Sequence, residues 1–302
     1  MTSIEFHHLS KRFDDVVAIE DFSFTARPGS VTGFLGPNGA GKTTTLKTLL
    51  GLLAPSAGSA TFDGRAYGEL PEPCRHVGAV LESTGFHPGR RAHAQLRVLA
   101  TAAGLSLSRV DEVLDDVGLT DAADRRIKGF SLGMRQRLAL AAALLGDPDV
   151  LILDEPANGL DPEGVHWLRC FLRSFADQGG TVLVSSHLLA EVAHTVDDVV
   201  IIAHGRLVTQ SSLTELADGR PSGVRVRTPQ ADTLRSALGD QGIAADLVGP
   251  DTLVAFDTTA EAVGLAAAGV GAAIYEMTTQ HLDLEEMFLD LTNHEEAIRC
   301  AA

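Results

Sequence analysis

The sequence predicts an α/β fold built on parallel strands, followed by a second, smaller α+β domain. Short apolar runs such as 31–35 and 150–153 alternate with amphipathic stretches of helical length, the usual pattern of a parallel sheet covered by helices. Of the 302 residues, 45% are hydrophobic but only 5% are aromatic, so the core is expected to be aliphatic. Carboxylates are concentrated in the last quarter of the chain, which indicates a separate domain there.

The charge balance limits the classes of partner. Lys and Arg number 24 against 40 Asp and Glu, a formal net charge of -16. From residue 221 to the end, thirteen carboxylates stand against four arginines. A broad nucleic-acid surface needs clustered cations, so no nucleic-acid partner is expected.

Cysteine usage and apolar runs suggest the compartment. Cys74, Cys170 and Cys300 are few and widely spaced, so neither a disulfide framework nor a zinc site is expected, and a reducing cytosol is predicted. The first residues lack the features of a signal peptide, and no apolar run has the length of a membrane-spanning helix. If the protein works at a membrane, another chain is expected to span it.

The first half of the chain alternates strands with helices. Asp161 followed by Pro162 predicts a helix start, with Asp as N-cap and Pro in the first turn. A turn at 55–59 is expected to lead to a hairpin around Asp63 and Gly64. The predicted strands are 4–9, 22–26, 31–35, 77–81 and 150–153, and the predicted helices are 44–50, 92–103, 109–117, one opening at Ser131, and 161–177.

The same alternation continues to the C-terminus. Residues 219–223, G-R-P-S-G, form the predicted linker. Before it we expect strands 181–184, 199–203 and 206–210, with a helix at 188–194; after it, strands 224–228, 251–257 and 272–277, with helices 231–238, 260–268 and 284–291.

A glycine-rich loop between the strand at 31–35 and the next helix is the main chemical feature. Its glycines permit backbone conformations in which several N–H groups turn toward an anion at the positive end of that helix. Lys42 is expected to reach the β- and γ-phosphates of a nucleotide, and the Thr43 hydroxyl to ligate Mg²⁺. The loop is Gly36, Pro37, Asn38, Gly39, Ala40, Gly41, Lys42, Thr43 and Thr44, which fits G-x-x-x-x-G-K-[ST].

Two adjacent carboxylates end the apolar strand 150–153. Asp154 is expected to hold the Mg²⁺ shell, and Glu155 to take a proton from an attacking water. The alternative is that two acids simply end a buried strand at the surface. The phosphate loop upstream favours the catalytic interpretation.

Five motifs in order resemble those of the ATP-binding subunit of an ABC transporter. The resemblance rests on the phosphate loop; F-S-L-G-M-R-Q-R-L at 130–138, similar to the signature motif; L-I-L-D-E-P at 151–156; A-N-G-L-D-P at 157–162; and S-S-H-L at 185–188. It covers essentially residues 1–220 and implies an ABC-type ATPase domain of the P-loop NTPase fold at 1–218, a mixed-sheet core with a helical subdomain at about 82–145. Residues 224–302 are then a small acidic α+β domain.

The resemblance also implies roles for residues outside the phosphate loop. Ser131 and Gly133 would bind the γ-phosphate of ATP held by a second subunit, in a homodimer that sandwiches two ATP molecules. His187 would hold the attacking water with Glu155. Asp161 would be a further nucleotide-binding residue. Phe13 falls where an aromatic ring stacks on adenine, although it is equally compatible with a packing role.

Two positions depart from the family pattern. Glu82 stands where most members have Gln; a carboxylate still binds Mg²⁺ but adds a charge. The signature reads S-L-G-M, a form that resembles the bacitracin and daunorubicin type of exporter. The tail L-D-L-E-E-M-F-L-D-L-T at 282–292 resembles the same branch.

The leading hypothesis is therefore an ATP-hydrolysing motor subunit of a drug or antibiotic exporter. It would lie in the cytoplasm, peripheral to the membrane, bound to separate transmembrane permease subunits through the helical subdomain. The alternative is a soluble ABC-type ATPase acting on ribosomes or DNA; a small-molecule kinase explains fewer of the motifs. The C-terminal domain is either a regulatory or dimer-supporting module or a solvated appendage.

Overall fold

The computed structural model describes residues 2–81, 85–188, 195–213, 215 and 223–280. They divide into two compact units, the first extending to residue 213 and the second following it. Within those described ranges, no helix combines the length and the apolar character needed to cross a membrane.

The first unit contains two sheets. Its described strands are β1 (Ile4–Phe13), β2 (Val16–Ala26), β3 (Val31–Leu35), β4 (Ala57–Phe62), β5 (Val77–Val80), β6 (Val150–Asp154), β7 (Thr181–Ser186), β8 (Asp198–Ala203) and β9 (Arg206–Ser212). An antiparallel sheet has the order β2-β1-β4, and a mixed sheet has the order β5-β6-β7-β3-β8-β9. In the mixed sheet the first five strands are parallel and β9 is antiparallel to β8.

The central strands of the mixed sheet determine where the functional residues lie. Every residue of β3, β6, β7 and β8 is buried, as expected for the predominantly apolar central strands of a sheet covered on both faces. Parallel strands end at the same edge of a sheet, so the residues that follow β3, β6 and β7 are neighbours although the chain separates them widely.

Helices cover the mixed sheet and form the predicted insertion. α1 (Lys42–Leu49) follows β3; α2 (Ala92–Ala102), α3 (Arg109–Asp116) and α4 (Leu132–Leu144) lie between β5 and β6; and α5 (Pro162–Asp177) lies between β6 and β7. The sequence predictions of these helices are confirmed to within a few residues. The Asp161 carboxylate accepts a hydrogen bond from the Gly164 N–H at 2.9 Å, so the predicted N-cap of α5 is also confirmed.

Four phenylalanine rings join the two sheets of the first unit. Phe24 of β2 lies 4.4 Å from Phe6, 5.1 Å from Phe22 and 5.7 Å from Phe34 between ring centroids. All four rings are buried. Phe34 belongs to β3, so this cluster fixes the antiparallel sheet against the strand that leads into the phosphate loop.

The second unit has the order β-α-β-β-α-β. Its elements are β10 (Gly223–Arg227), α6 (Ala231–Asp240), β11 (Ala245–Gly249), β12 (Thr252–Phe256), α7 (Ala260–Val270) and β13 (Glu276–Gln280). The strands form an antiparallel sheet in the order β11-β12-β10-β13. This is the split β-α-β arrangement of ferredoxin-like domains.

Four sequence predictions were wrong in detail. The turn predicted at 55–59 ends early, because β4 begins at Ala57 and pairs there with β1. The hairpin around Asp63 and Gly64 is a turn closed by one bridge, Phe62 to Arg65, because short 3-10 turns rather than a second strand follow it. The strand expected at 272–277 begins at Glu276, since the apolar residues before it pack on the core from a loop. Strand β11 was missed because it is a half-exposed edge strand without a burial pattern.

Some predictions fall on residues that the structure does not describe. They are the helices at 188–194 and 284–291, the tail at 282–292, Glu82, and all of the linker except Gly223.

We predict that Phe24→Ala lowers the free energy of unfolding by about 3–5 kcal/mol, because it removes a buried ring from the centre of the aromatic cluster. Urea unfolding of the nucleotide-free protein, followed by circular dichroism, measures the change. The matched control is Phe13→Ala, whose ring is 42% exposed and whose loss should cost about 1 kcal/mol or less. Equal losses for the two variants would contradict this description of the core.

Candidate nucleotide site

The glycine-rich loop connects β3 to α1 and packs closely on neighbouring strands. Gly41 has φ 106°, a conformation that side chains rarely adopt, and a Cβ there would lie 2.5 Å from the Ala18 carbonyl oxygen. A Cβ on Gly36 would lie 2.4 Å from the Ile202 carbonyl oxygen. Larger residues at either position would push the loop away from β2 or β8.

Lys42 is held inside the loop. Its side chain is 6% exposed, and its ammonium donates to the carbonyl oxygens of Gly36 at 2.6 Å and Pro37 at 3.3 Å. The same nitrogen lies 3.2 Å from Glu155 Oε1. The cation therefore sits where the loop and the end of β6 meet.

Asp154 links the loop to two strands of the mixed sheet. It is 2% exposed. The Thr43 hydroxyl donates to its Oδ2 at 2.8 Å, and the Ser185 hydroxyl donates to its Oδ1 at 2.6 Å. The carboxylate and the Thr43 hydroxyl are hard oxygen donors, the type that Mg²⁺ prefers, so this pair fits the expected metal.

Glu155 is positioned by both its backbone and its side chain. It has φ 49°, uncommon for a residue other than glycine. Its N–H donates to Ser185 Oγ at 2.9 Å, and its Oε2 lies 2.8 Å from His187 Nδ1. The carboxylate thus contacts Lys42 through one oxygen and His187 through the other, and it cannot turn away without losing both.

Ser185 is the site residue whose role the sequence analysis missed. It pairs directly with Asp154 in the parallel register of β6 and β7. Its hydroxyl contacts both acidic residues, donating to the Asp154 carboxylate and accepting from the Glu155 backbone N–H. A hydroxyl near the end of a fully buried strand, in register with the acidic end of the neighbouring strand, was the signal that would have found it.

The signature segment lies apart from this network. Ser131 is exposed and caps α4, its hydroxyl accepting from the Met134 N–H at 3.2 Å. Leu132 is 53% exposed, and a Cβ on Gly159 would lie 2.2 Å from Leu132 Cδ2, so the signature rests on the 157–160 loop. No described contact joins Ser131 to the phosphate loop of its own chain.

Two further predicted residues also lie outside the network. Phe13 ends β1; it is 42% exposed, and the Lys11 ammonium lies 4.9 Å from its ring centroid. Asp161 is engaged as the N-cap of α5. Glu82 lies outside the described residues.

Comparison with known proteins identifies the chain. A family model described as ABC transporter matches residues 19–158, and one described as a domain of unknown function matches residues 222–285. The uncharacterized ABC transporter ATP-binding protein YhcH of Bacillus subtilis is 34% identical over 294 residues, 96% of each chain. The bacitracin transport ATP-binding protein BcrA of Bacillus licheniformis is 39% identical over 212 residues, 69% of each chain.

A solved structure described as the ATP binding subunit of an ABC transporter has a similar fold. It has 29% sequence identity and a TM-score of 0.65, and the match covers 72% of this chain and 92% of that one. Motifs, sheet topology and relatives agree: the chain belongs to the family of ABC transporter ATP-binding subunits, which are ATPases of the P-loop fold.

Proposed function

We propose that this subunit powers an exporter of drugs or antibiotics through separate membrane subunits, working as a homodimer on the cytoplasmic face of the membrane. The similarity to the bacitracin transport protein and the S-L-G-M signature support an export role. The reported relatives are ABC transporter ATP-binding proteins, which favours transport over an action on ribosomes or DNA. The proposed domains are 1–218, with the helical subdomain at about 82–145, and 224–302, joined by the linker 219–223.

Glu155 lies between Lys42 and His187, and this position is the main support for a catalytic role. With ATP bound, Lys42 would exchange the loop carbonyls and Glu155 for phosphate oxygens, because those carry more charge. Glu155, released from Lys42, would accept a proton from water that His187 helps to hold. The residues 36–44 would surround the phosphates, and Phe13 would stack on the adenine.

Thr43 and Asp154 would hold Mg²⁺, with Glu82 as a further candidate. When bound, the metal neutralises phosphate charge that builds up during transfer. Ser185 keeps Asp154 oriented for this role through its 2.6 Å hydrogen bond. Metal binding would require no rearrangement of the buried strands, because Thr43, Asp154 and Ser185 already meet at one edge of the mixed sheet.

The exposed signature supports a dimeric site. Ser131 and the first N–H groups of α4 form a helix N-terminus that faces solvent, and such ends favour anions. A second subunit's ATP would complete this half-site, with Gly133 allowing close approach and Asp161 lying in the adjoining loop. ATP binding would then close the dimer, and loss of the γ-phosphate would open it.

An apolar cleft offers a docking place for the membrane subunit. It has a volume of about 370 Å³ and lies between the mixed-sheet core and the helical insertion. Leu52 at its rim is 63% exposed. An apolar segment of a permease would cover this surface, so that closure of the dimer would move the docked segment. The cleft is lined by Leu50, Leu52, Tyr67, Ala79, Val80, Leu81, Phe86, Ala139 and Ala142.

We predict that Glu155→Gln reduces kcat for ATP hydrolysis by about 100-fold or more while leaving ATP binding intact, because the amide cannot accept the proton. The variant should accumulate as a dimer in ATP and Mg²⁺. Size-exclusion chromatography with light scattering measures the mass.

The matched control for that experiment is Glu155→Gln combined with Lys42→Ala, which removes the cation expected to bind the phosphates. It should remain a monomer under the same conditions. A monomeric Glu155→Gln protein with bound ATP would contradict the sandwich dimer.

We predict that Leu52→Asp lowers recovery of the membrane partner by tenfold or more when tagged protein is purified from detergent-solubilised membranes of its host. The docked segment would bury the new carboxylate in an apolar contact, which is costly. The ATPase rate of the isolated subunit should stay within twofold of that of the unaltered protein. Mass spectrometry of the bound chains measures the recovery.

Leu107→Asp is the control for the cleft, since Leu107 is 45% exposed but does not line it. It should recover the partner as the unaltered protein does. Equal loss with both variants, or recovery of ribosomal proteins in place of a polytopic chain, would count against the proposed docking.

A further inference from the structure

The sheet of the second unit has one covered face and one polar face. Val224 and Val226 of β10 are fully buried and belong to the core formed with α6 and α7. Side chains alternate between the two faces of a strand, so Arg225 and Arg227 lie on the opposite face, where both are exposed.

The strand register brings five polar side chains together on this face. Arg225 pairs with Thr278 of β13, while Arg227 pairs with Glu276 of β13 on one side and with Thr252 of β12 on the other. These five residues line a cavity of about 360 Å³. Its size suits a small organic molecule, and three adjacent strands form its floor.

The charge on this face is opposite to that of the surrounding unit. Residues 223–280 contain seven carboxylates and three arginines, and two of those arginines are in the cavity. Among the described contacts, Arg225 has no ion pair, and the Arg227 Nε lies 4.0 Å from Glu276 Oε2. Two guanidinium groups on alternate residues start only about 7 Å apart along the strand, so an anion between them would relieve their repulsion.

We propose that the cavity binds a small organic anion through a carboxylate or phosphate group. Guanidinium groups bind both oxyanions with paired hydrogen bonds, and the Thr278 hydroxyl would add a further donor. The Thr252 hydroxyl donates to Asp251 Oδ1 at 2.9 Å, so Thr252 shapes the cavity floor and is not counted as a donor to the anion. Glu276 supplies an acceptor for a hydroxyl or ammonium group on the same molecule. The site is separate from the nucleotide site, which lies in the first unit.

Calorimetric titration of the full-length protein tests this, with citrate and with inorganic phosphate as separate probes at constant ionic strength. The protein carries Lys42→Ala throughout, so that phosphate bound by the phosphate loop does not obscure the result. We expect one site, with binding weakened at least tenfold by Arg225→Gln and also by Arg227→Gln. Tighter binding of citrate would identify a carboxylate ligand, and tighter binding of phosphate a phosphorylated one.

Arg235→Gln is the matched control, because Arg235 is the third arginine of residues 223–280 but lies on α6, 3.6 Å from Asp232. It should bind the probe as the parent protein does. The proposal is overturned if neither probe binds, if Arg225→Gln and Arg227→Gln bind normally, or if Arg235→Gln weakens binding equally. Thermal melting of each variant confirms that a loss of binding is not a loss of folding.

Discussion

The pair of carboxylates at the end of β6 is the interaction on which the rest of the site depends. Asp154 receives hydroxyl hydrogen bonds from Thr43 and Ser185, and Glu155 contacts Lys42 and His187. Residues from three strand ends therefore meet at two adjacent side chains. Buried carboxylates are costly unless they are paired or hydrogen-bonded, and here each oxygen has a partner. The phosphate loop is thus held against the residues proposed to hydrolyse the nucleotide.

The same arrangement supports the proposal that a single chain is an incomplete enzyme. Lys42 Nζ lies 3.2 Å from Glu155 Oε1, so the proposed general base is engaged by the cation that is also proposed to bind phosphate. The signature Ser131 lies exposed at the start of α4, and in the described part of the chain its hydroxyl contacts its own helix alone. Phosphate groups would compete for Lys42, and a second chain's signature would cover the phosphates. Binding, dimer closure and release of the base then become one linked equilibrium.

Much of the fold and of the candidate site could be predicted from the sequence, because motif spacing and strand periodicity are local properties. The phosphate loop, the carboxylate pair and the cap at Asp161 needed only short stretches of chain. Ser185 could not be assigned a role in that way, since its importance comes from its register opposite Asp154, thirty-one residues away. The contact of Leu132 with Gly159 is likewise tertiary. Strand β11 was missed because an exposed edge strand has no burial pattern to detect.

Complementation between two inactive variants tests the central claim most directly. Lys42→Ala disables the phosphate loop, and Ser131→Arg disables the signature, so each protein alone should hydrolyse almost no ATP. If one chain's phosphate loop works with the other chain's signature, mixing them creates heterodimers with one intact site. ATPase activity should then rise on mixing to about a quarter of the unaltered rate, because half the dimers are mixed and each has one of two sites. Activity that stays at the level of the separate variants would contradict the shared site and place catalysis within a single chain.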